Sequence, residues 1–448
     1  MTSLERLAAH LSTELRGEMP PALRQTLALH LIDTIGAWIA TAATAEARAL
    51  KTFRAEQHSL AGNARDPALD VMINCALVRL SEIDDIHLAS MTTPGAIVIP
   101  AVLTIAASLP ANAGTLAAAI LAGYEAMTRL GAAIDGPRVL YRGMWPSYMA
   151  APFGVAAAAA RLFDLSAATT AHALALALAL GAPGVGYHSA PTTSRWLAAG
   201  SAARNGLLAA QAARAGLTAD LAILDGPFLA GVYGITADAA ALTEGLGQGP
   251  KLAEVAFKPW CAARQTMAAT QAFKEIIEGG VAVGDIVAIE AAVPPLFVKM
   301  VDHGVAAADR LSRLTSQHYQ IAVAALAPEL AFDVGQAGAV PPVVQAFMDK
   351  ITVRADEGLV EGFPRRWSAR VRVRTGAALH ERLVAHVPGD PERPLTDRQI
   401  GEKFQRITRM ANEEATAVIE AARGVIGRRR TPAQVMAMIE KACSRAAR

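Results

Sequence analysis

Alanine decides the first half of this chain. Segments such as "TLAAAILAGYEAMTRLGAAI" (115–134), "FGVAAAAARLFDL" (153–165) and "AAGSAARNGLLAAQAARAG" (198–216) are built from the strongest helix former, in a side chain small enough for helix backbones to approach closely. Pro20 and Pro21 introduce "ALRQTLALHLIDTIGAWIATAAT", and Asp66 followed by Pro67 supplies a cap and first turn for "ALDVMINCALVRLSEIDD" (68–85). The expectation is an α-helical bundle of about 250 residues.

After roughly residue 275 the pattern changes. "GDIVAIEAAVPP" and "KITVRADEGL" are rich in β-branched residues, and "ARVRVRTGAALHERLVAHV" alternates Arg370, Arg372 and Arg374 with Val371 and Val373, as a half-buried strand entering a hairpin does. "SQHYQIAVAALA" and "PPVVQAFMDK" between them read as helices. Past Pro394, "TDRQ" (396–399) and "TPAQ" (431–434) have capping-box spacing, each opening a helix. The fold class expected is therefore mostly α with an α+β part: a helical domain over 1–270 completed by helices in 396–448, and a smaller α+β domain over 271–395 inserted before them.

Composition bounds the function classes. With 448 residues, 53% hydrophobic and 18% charged, the chain can bury a large core, and a formal net charge of +2 leaves no basic face for nucleic acid. The triplet Arg428 to Arg430 stands alone and reads as a solvated helix junction. Cys75, Cys261 and Cys443 are odd in number and far apart, with no C-x-x-C spacing, which points to a reducing, cytoplasmic setting. "MTSLERLAAHLSTEL" puts Leu4, Leu7 and Leu11 on one face of an amphipathic helix, unlike a signal peptide. The nearest thing to a membrane span, "AATTAHALALALALGAPGVG", carries His172 and breaks at Gly181, Pro183 and Gly184, so a buried helix is expected.

Four segments carry chemistry. In "SEIDDIHLASMTTPGAIVIP" (81–100), helical continuation would gather Glu82, Asp84, Asp85 and His87 where a helix ends, with three carboxylates opposing its dipole and calling for compensation. A solvated helix end and an acid-base or substrate site both fit; D-D-x-H lacks the further ligand a metal site needs. In "EVAFKPWCAARQTMAATQAF" (254–273), Lys258 is held out of helix by Pro259, beside Trp260, Cys261 and Arg264, where a lowered pKa would make it a base; an ordinary surface lysine is the plainer reading. "RGMWPSYMAAPFG" concentrates Trp145 and Tyr148, which buried aromatic packing would also explain. "TTSRWLAAGSAARNG" starts a helix with Arg195, placed to bind a carboxylate or merely to sit at the surface. "GAPGVG" follows no strand, so a dinucleotide site is not expected.

In this order, these segments resemble the MmgE/PrpD family, which includes 2-methylcitrate dehydratase, cis-aconitate decarboxylase and iminodisuccinate epimerase. The resemblance runs through "EIDDIH" with "TPGAIVIPAVLTIA", then "FGVAAAAARLFDLS", "AAGSAARNGLLAAQAARAGLT" with "ILDGPFLAGVYG", "FKPW" and "DPERPLTDRQIGEKF". It implies a helical domain plus a small α+β domain, a homodimer, and a site for small di- or tricarboxylic acids that needs no cofactor or metal. The dehydratase and decarboxylase members are rich in histidine at four places of that site, where this chain has Thr93, Trp145, Ala198 and Met267; a lysine before the long helix is replaced by Arg195, and Lys258 is retained.

Dehydration needs a proton removed and another delivered to a departing hydroxide, and a site without histidines has fewer groups able to donate near neutral pH. Epimerisation needs only removal and return of one proton on opposite faces of a carbon. "TTPGA" and "KPWC" are similar to the iminodisuccinate epimerase branch. The expectation is two-base proton transfer: Lys258 as one base, Tyr148 or else His87 as its counterpart, and Arg195 and Arg264 as carboxylate clamps. Asp84 and Asp85 would orient His87 or bind a substrate ammonium, with Thr93 and Trp145 lining the site. A Cys75–Cys261 thiol pair is the rival, and a lyase for citrate-like acids or an inactive metabolite-binding protein are the other readings.

Overall fold

The computed structural model describes residues 1–13, 19–62, 66–109, 113–182, 184, 192–306, 309–336, 338–427 and 429–447. Its backbone forms two compact units. One comprises Met1–Tyr187, Thr192–Val255 and Thr396–Arg448, and the other is built on Ala256–Leu395.

The first unit is helical: α1 (Ser3–Thr13), α2 (Pro21–Ala40), α3 (Ala45–Leu60), α4 (Pro67–Arg79), α5 (Gly95–Ala106), α6 (Ala113–Ala133), α7 (Gly136–Leu140), α8 (Pro146–Leu162), α9 (Ala167–Ala179), α10 (Ser194–Arg214), α11 (Phe228–Tyr233) and α12 (Ala239–Thr243). The small residues do what their size permits. At Gly200 of α10 a Cβ would lie 2.2 Å from the Met72 carbonyl oxygen of α4, and at Gly206 it would lie 2.3 Å from that of Pro152 in α8. Alanine and glycine thus bring α10 into near-backbone contact with two neighbours.

Helix α2 is buried on all sides from Leu27 to Ile39, which is why it lacks an amphipathic stripe. Over Pro21–Ala43 it is the one helix among the described residues long and apolar enough to cross a membrane, yet 78% of that window lies inside the fold. The segment with "HALALALALG" forms α9 and is likewise largely buried, while Pro183 lies outside the described residues.

Asp66 caps α4 as expected, its side chain accepting from Ala68 N. The helix stops at Arg79, however, and does not run on to Asp85. Glu82 adopts φ 56°, in the left-handed region, and residues 81–85 form a turn and loop before the two-residue strand β1 (Ile86–His87). The strand β2 (Val255–Ala256) closes this part of the chain.

The second unit contains α13 (Arg264–Glu278), β3 (Ile286–Val293), α14 (Pro295–Val301), α15 (Arg310–Thr315), α16 (Gln317–Leu326), α17 (Pro342–Met348), β4 (Ile351–Ala355), β5 (Ala369–Thr375) and β6 (Leu379–Val384). The strands form one mixed sheet in the order β4-β3-β5-β6, with β3 and β4 parallel and the other pairs antiparallel. Val371 and Val373 face inward. Arg370 and Arg372 point out to Asp356, Glu290 and Glu381. Helix α13 packs its apolar face on β5 and β6, so the stretch from Ala256, expected to belong with the bundle up to residue 270, clusters with the sheet.

The first unit is completed by α18 (Asp397–Thr408), α19 (Asn412–Ile426) and α20 (Pro432–Ala446), with Thr396–Gln399 and Thr431–Gln434 each forming the expected capping box. Lys403 of α18 reaches inward, its Nζ 2.5 Å from Asp33 Oδ1 of α2 and 3.1 Å from the Ile83 carbonyl oxygen. The last 50 residues are thereby tied to the acidic loop.

Candidate active site

The acidic loop is not a solvated helix end. Asp84 and Asp85 are each 1% exposed, and Glu82 and His87 are also buried. The compensation their charges require comes from Arg79 at the end of α4, whose Nη1 lies 3.1 Å from Glu82 Oε2 and 3.3 Å from Asp84 Oδ1. Although burial works against the charged form, these two carboxylates hold the Arg79 guanidinium above its usual range.

Around Arg79 the structure collects residues that lie far apart in sequence. Its guanidinium stands 5.8 Å from the Trp196 ring centre, and that of Arg195 stands 5.7 Å from Trp196 and 5.1 Å from Trp145. Trp145 stacks on Tyr148, with centroids 5.4 Å apart and planes 15° from parallel. Pro146 at the first position of α8 sets Trp145 outside the helix and Tyr148 inside its first turn. Two donors here, Tyr148 Oη and Trp145 Nε1, are buried and meet no hydrogen-bond partner among the described residues. Unpaired buried donors are costly, which makes them a natural seat for acceptor oxygens. Burial pushes the Tyr148 phenol up to about 12; Arg79 and Arg195 pull it down, and Glu82 and Asp84 raise it. It is thus a proton donor at neutral pH.

Thr93 supports this cluster from beneath. Its backbone N donates to Ser147 Oγ at 3.1 Å, and the two hydroxyls are 3.2 Å apart, which fixes the turn that carries Tyr148.

Asp84 and Asp85 do not orient His87, whose two ring nitrogens are engaged by other residues. Asp85 accepts from Gly95 N (2.7 Å) and Tyr124 Oη (2.7 Å) and lies 2.8 Å from His30 Nδ1. A Cβ at residue 95 would sit 2.6 Å from that carboxylate, so glycine is needed for the approach. His87 is held instead by Ser90 Oγ at Nδ1 (2.8 Å) and Glu254 Oε2 at Nε2 (3.3 Å), with Thr92 Oγ1 2.6 Å from Ser90. A carboxylate only accepts, so the Nε2 facing Glu254 carries a proton.

The His87 hydrogen bond, opposed by burial and helped by Lys251, depresses the Glu254 carboxyl to about 2. A depressed folded pKa adds stability above the unfolded value and loses it as pH falls toward the folded one. Glu254→Gln is therefore expected to lower the melting temperature slightly near pH 6, with the deficit vanishing as pH falls from about 4.5 to 2. Glu254 is 53% exposed, which keeps the effect at or below about 1 kcal/mol. Thermal melts across that range check it; a deficit independent of pH would remove the carboxylate from the account.

In the second unit Lys258 is 3% exposed and not the surface lysine its sequence allows. Its segment is pinned from both sides: Phe257 N donates to the Gly389 carbonyl, and Cys261 N to that of Ala331. Gly389 has φ 104°, and a Cβ there would come within 2.2 Å of the Phe257 carbonyl oxygen. One residue on, Asp390 takes both its oxygens to Arg264 Nη2 at 2.8 Å and accepts from Val387 N at 2.8 Å. Arg264 opens α13, lies 5.8 Å from the Trp367 ring centre, and has Nε and Nη1 buried without partners among the described residues. Its charge is thus already balanced by Asp390, leaving two donors for a ligand.

Cys75 donates to the Ile97 carbonyl at 3.2 Å, and burial pushes its thiol up, which disfavours the thiolate a two-thiol mechanism requires. All three cysteines are free and buried. Among the described residues no group of three metal-ligating side chains occurs.

Of the residues singled out in the sequence, the first unit brings Asp84, Trp145, Tyr148 and Arg195 into one cluster, with Thr93 behind it and His87 and Asp85 in separate networks. Lys258 and Arg264 stand in the second unit. Sequence reasoning missed Arg79, Trp196 and Ser147. The available signal for Arg79 was its place as the lone cation of a largely apolar helix, at its last position.

Comparison with known proteins gives two matches. A family model described as the MmgE/PrpD N-terminal domain matches residues 5–243, and one described as the MmgE/PrpD C-terminal domain matches residues 260–425. No curated protein matches the chain.

Proposed function

Because the chain belongs to the MmgE/PrpD family, whose members are generally enzymes, we propose that it is a cofactor-independent epimerase of an amino- or imino-dicarboxylic acid, iminodisuccinate-like in chemistry. The observation that carries this reading is the pair of buried donors on Tyr148 and Trp145, without partners among the described residues, beside the guanidinium of Arg195. Such a cluster suits the oxygens of a substrate carboxylate. Their negative charge grows when the neighbouring carbon loses its proton.

In the proposed step, Lys258, neutral when it acts, takes the α-hydrogen as a proton. The electron pair of the C–H bond moves into the carboxyl group as an enediolate. Arg195 and the indole N–H of Trp145 stabilise that charge, and Arg264 holds a further carboxylate. Tyr148 then gives its phenolic proton to the opposite face, and solvent restores both groups. A phenol with a pKa near 12 suits the second half of this sequence, since it is protonated and becomes acidic enough only against a carbanion.

Tyr148→Phe tests the assignment. One intact base can remove and return a proton on its own face, admitting solvent deuterium between the steps, whereas inversion needs a donor opposite it. The variant should therefore lose inversion while retaining deuterium exchange with one stereoisomer. Equal loss of both, or of neither, would take the role from Tyr148.

A lyase acting on a citrate-like acid is the second reading, favoured by Glu82 and Asp84, buried acids close enough to raise the Tyr148 pKa. Incubation with hydroxy-tricarboxylates and detection of an unsaturated product would support it over the epimerase.

A further inference from the structure

Away from these residues, a cavity of about 950 Å³ opens between the start of α2 and the end of α19. We infer that it is a binding site for a nucleoside polyphosphate, a polyanion carrying a flat, less polar group. The volume is far more than one phosphate needs and falls within the range of small-molecule sites. Three arginines line it, Arg24, Arg423 and Arg429.

Their charges are poorly balanced. Among the described residues, only Arg423 has a carboxylate partner, Asp397 at 3.0 Å, which also accepts from Gln25. Arg24 donates to a neutral acceptor, the Met19 carbonyl at 3.4 Å, and among the described residues neither Arg24 nor Arg429 forms an ion pair. The start of α2 and the end of α19 bring opposite helix-dipole ends to the cavity, so the guanidiniums decide its sign.

Arg429 is put there by the backbone. The chain folds back after α19, with Arg429 N donating to the Gly424 carbonyl at 2.9 Å, and a Cβ at residue 424 would strike the Arg430 side chain. The rest of the lining is largely apolar: Met19, Pro20, Pro21, Ala28 and Ile426. That division suits phosphates on the arginines and a base on the apolar shelf, where a guanidinium can also stack.

The test is calorimetric titration of the full chain with ATP, tripolyphosphate and adenosine in the presence of EDTA. Saturable ATP binding tighter than about 1 mM is expected, with tripolyphosphate weaker and adenosine weaker still. The double variant R24E/R429E should bind ATP at least about tenfold more weakly, whereas R138E/R204E, with the same change in charge on other exposed arginines, should bind as the wild type. Amide exchange of the wild-type protein gives a check independent of any variant: ATP should protect residues 19–28 and 423–427. No saturable binding, equal weakening by both double variants, or protection elsewhere would overturn the site. Equal affinity for tripolyphosphate and ATP would overturn its assignment to a nucleotide.

Discussion

Lys258→Met is expected to lower exchange of the substrate α-hydrogen by about two orders of magnitude or more, the usual effect of removing an acid-base group. Methionine keeps the length of the side chain and suits its buried setting, so the fold should survive the change. The measurement is proton NMR in deuterium oxide with a panel of amino- and imino-dicarboxylates, on wild type and variant at equal folded concentration. Exchange near the wild-type rate would leave Lys258 a binding or structural residue and remove the base from the proposed mechanism.

Asp390→Ala should be the most damaging single change to stability in the second unit, at about 3–5 kcal/mol. It strips the carboxylate from a guanidinium that is itself buried, leaving Arg264 charged and unpaired, and it frees the Val387 N–H. Asp390→Asn keeps an acceptor and should cost less. Urea unfolding of the two variants distinguishes these outcomes, and a loss below about 1 kcal/mol for alanine would mean that water replaces the carboxylate. Because Gly389 in the same turn accepts from Phe257 N, Asp390→Ala should also reduce turnover under conditions where the protein remains folded.

What was legible in the sequence was local. The capping boxes at Thr396 and Thr431, the Asp66 cap and the β5–β6 hairpin rest on signals spanning a few residues, and each formed as read. The end of α4 was misread because "LSEIDD" contains neither Gly nor Pro, so nothing near in sequence announces the left-handed turn at Glu82. Burial of Lys258 and of the acidic loop was hidden for another reason. It depends on partners such as Gly389, Lys403, Tyr124 and His30, tens to hundreds of residues away, whose identities carry no periodic trace. Trp145 and Tyr148 could be picked out as a pair, but that their polar atoms are left without partners among the described residues follows only from packing.

The reach of Lys403 back to Asp33 and Ile83 also sets an order of assembly. The two ends of the Ile83 contact are 320 residues apart, which at roughly 5–20 residues per second separates their emergence from a ribosome by about 16–64 s. Throughout that interval the N-terminal helices exist without the cation that balances Asp33, and α2 lies bare where α18, α19 and α20 will cover it. The stretch Ala256–Leu395, by contrast, is made without a break and can condense while the first unit still waits for its closing helices. A nascent chain of this protein therefore leaves the apolar surface of α2 uncovered until its last three helices have emerged.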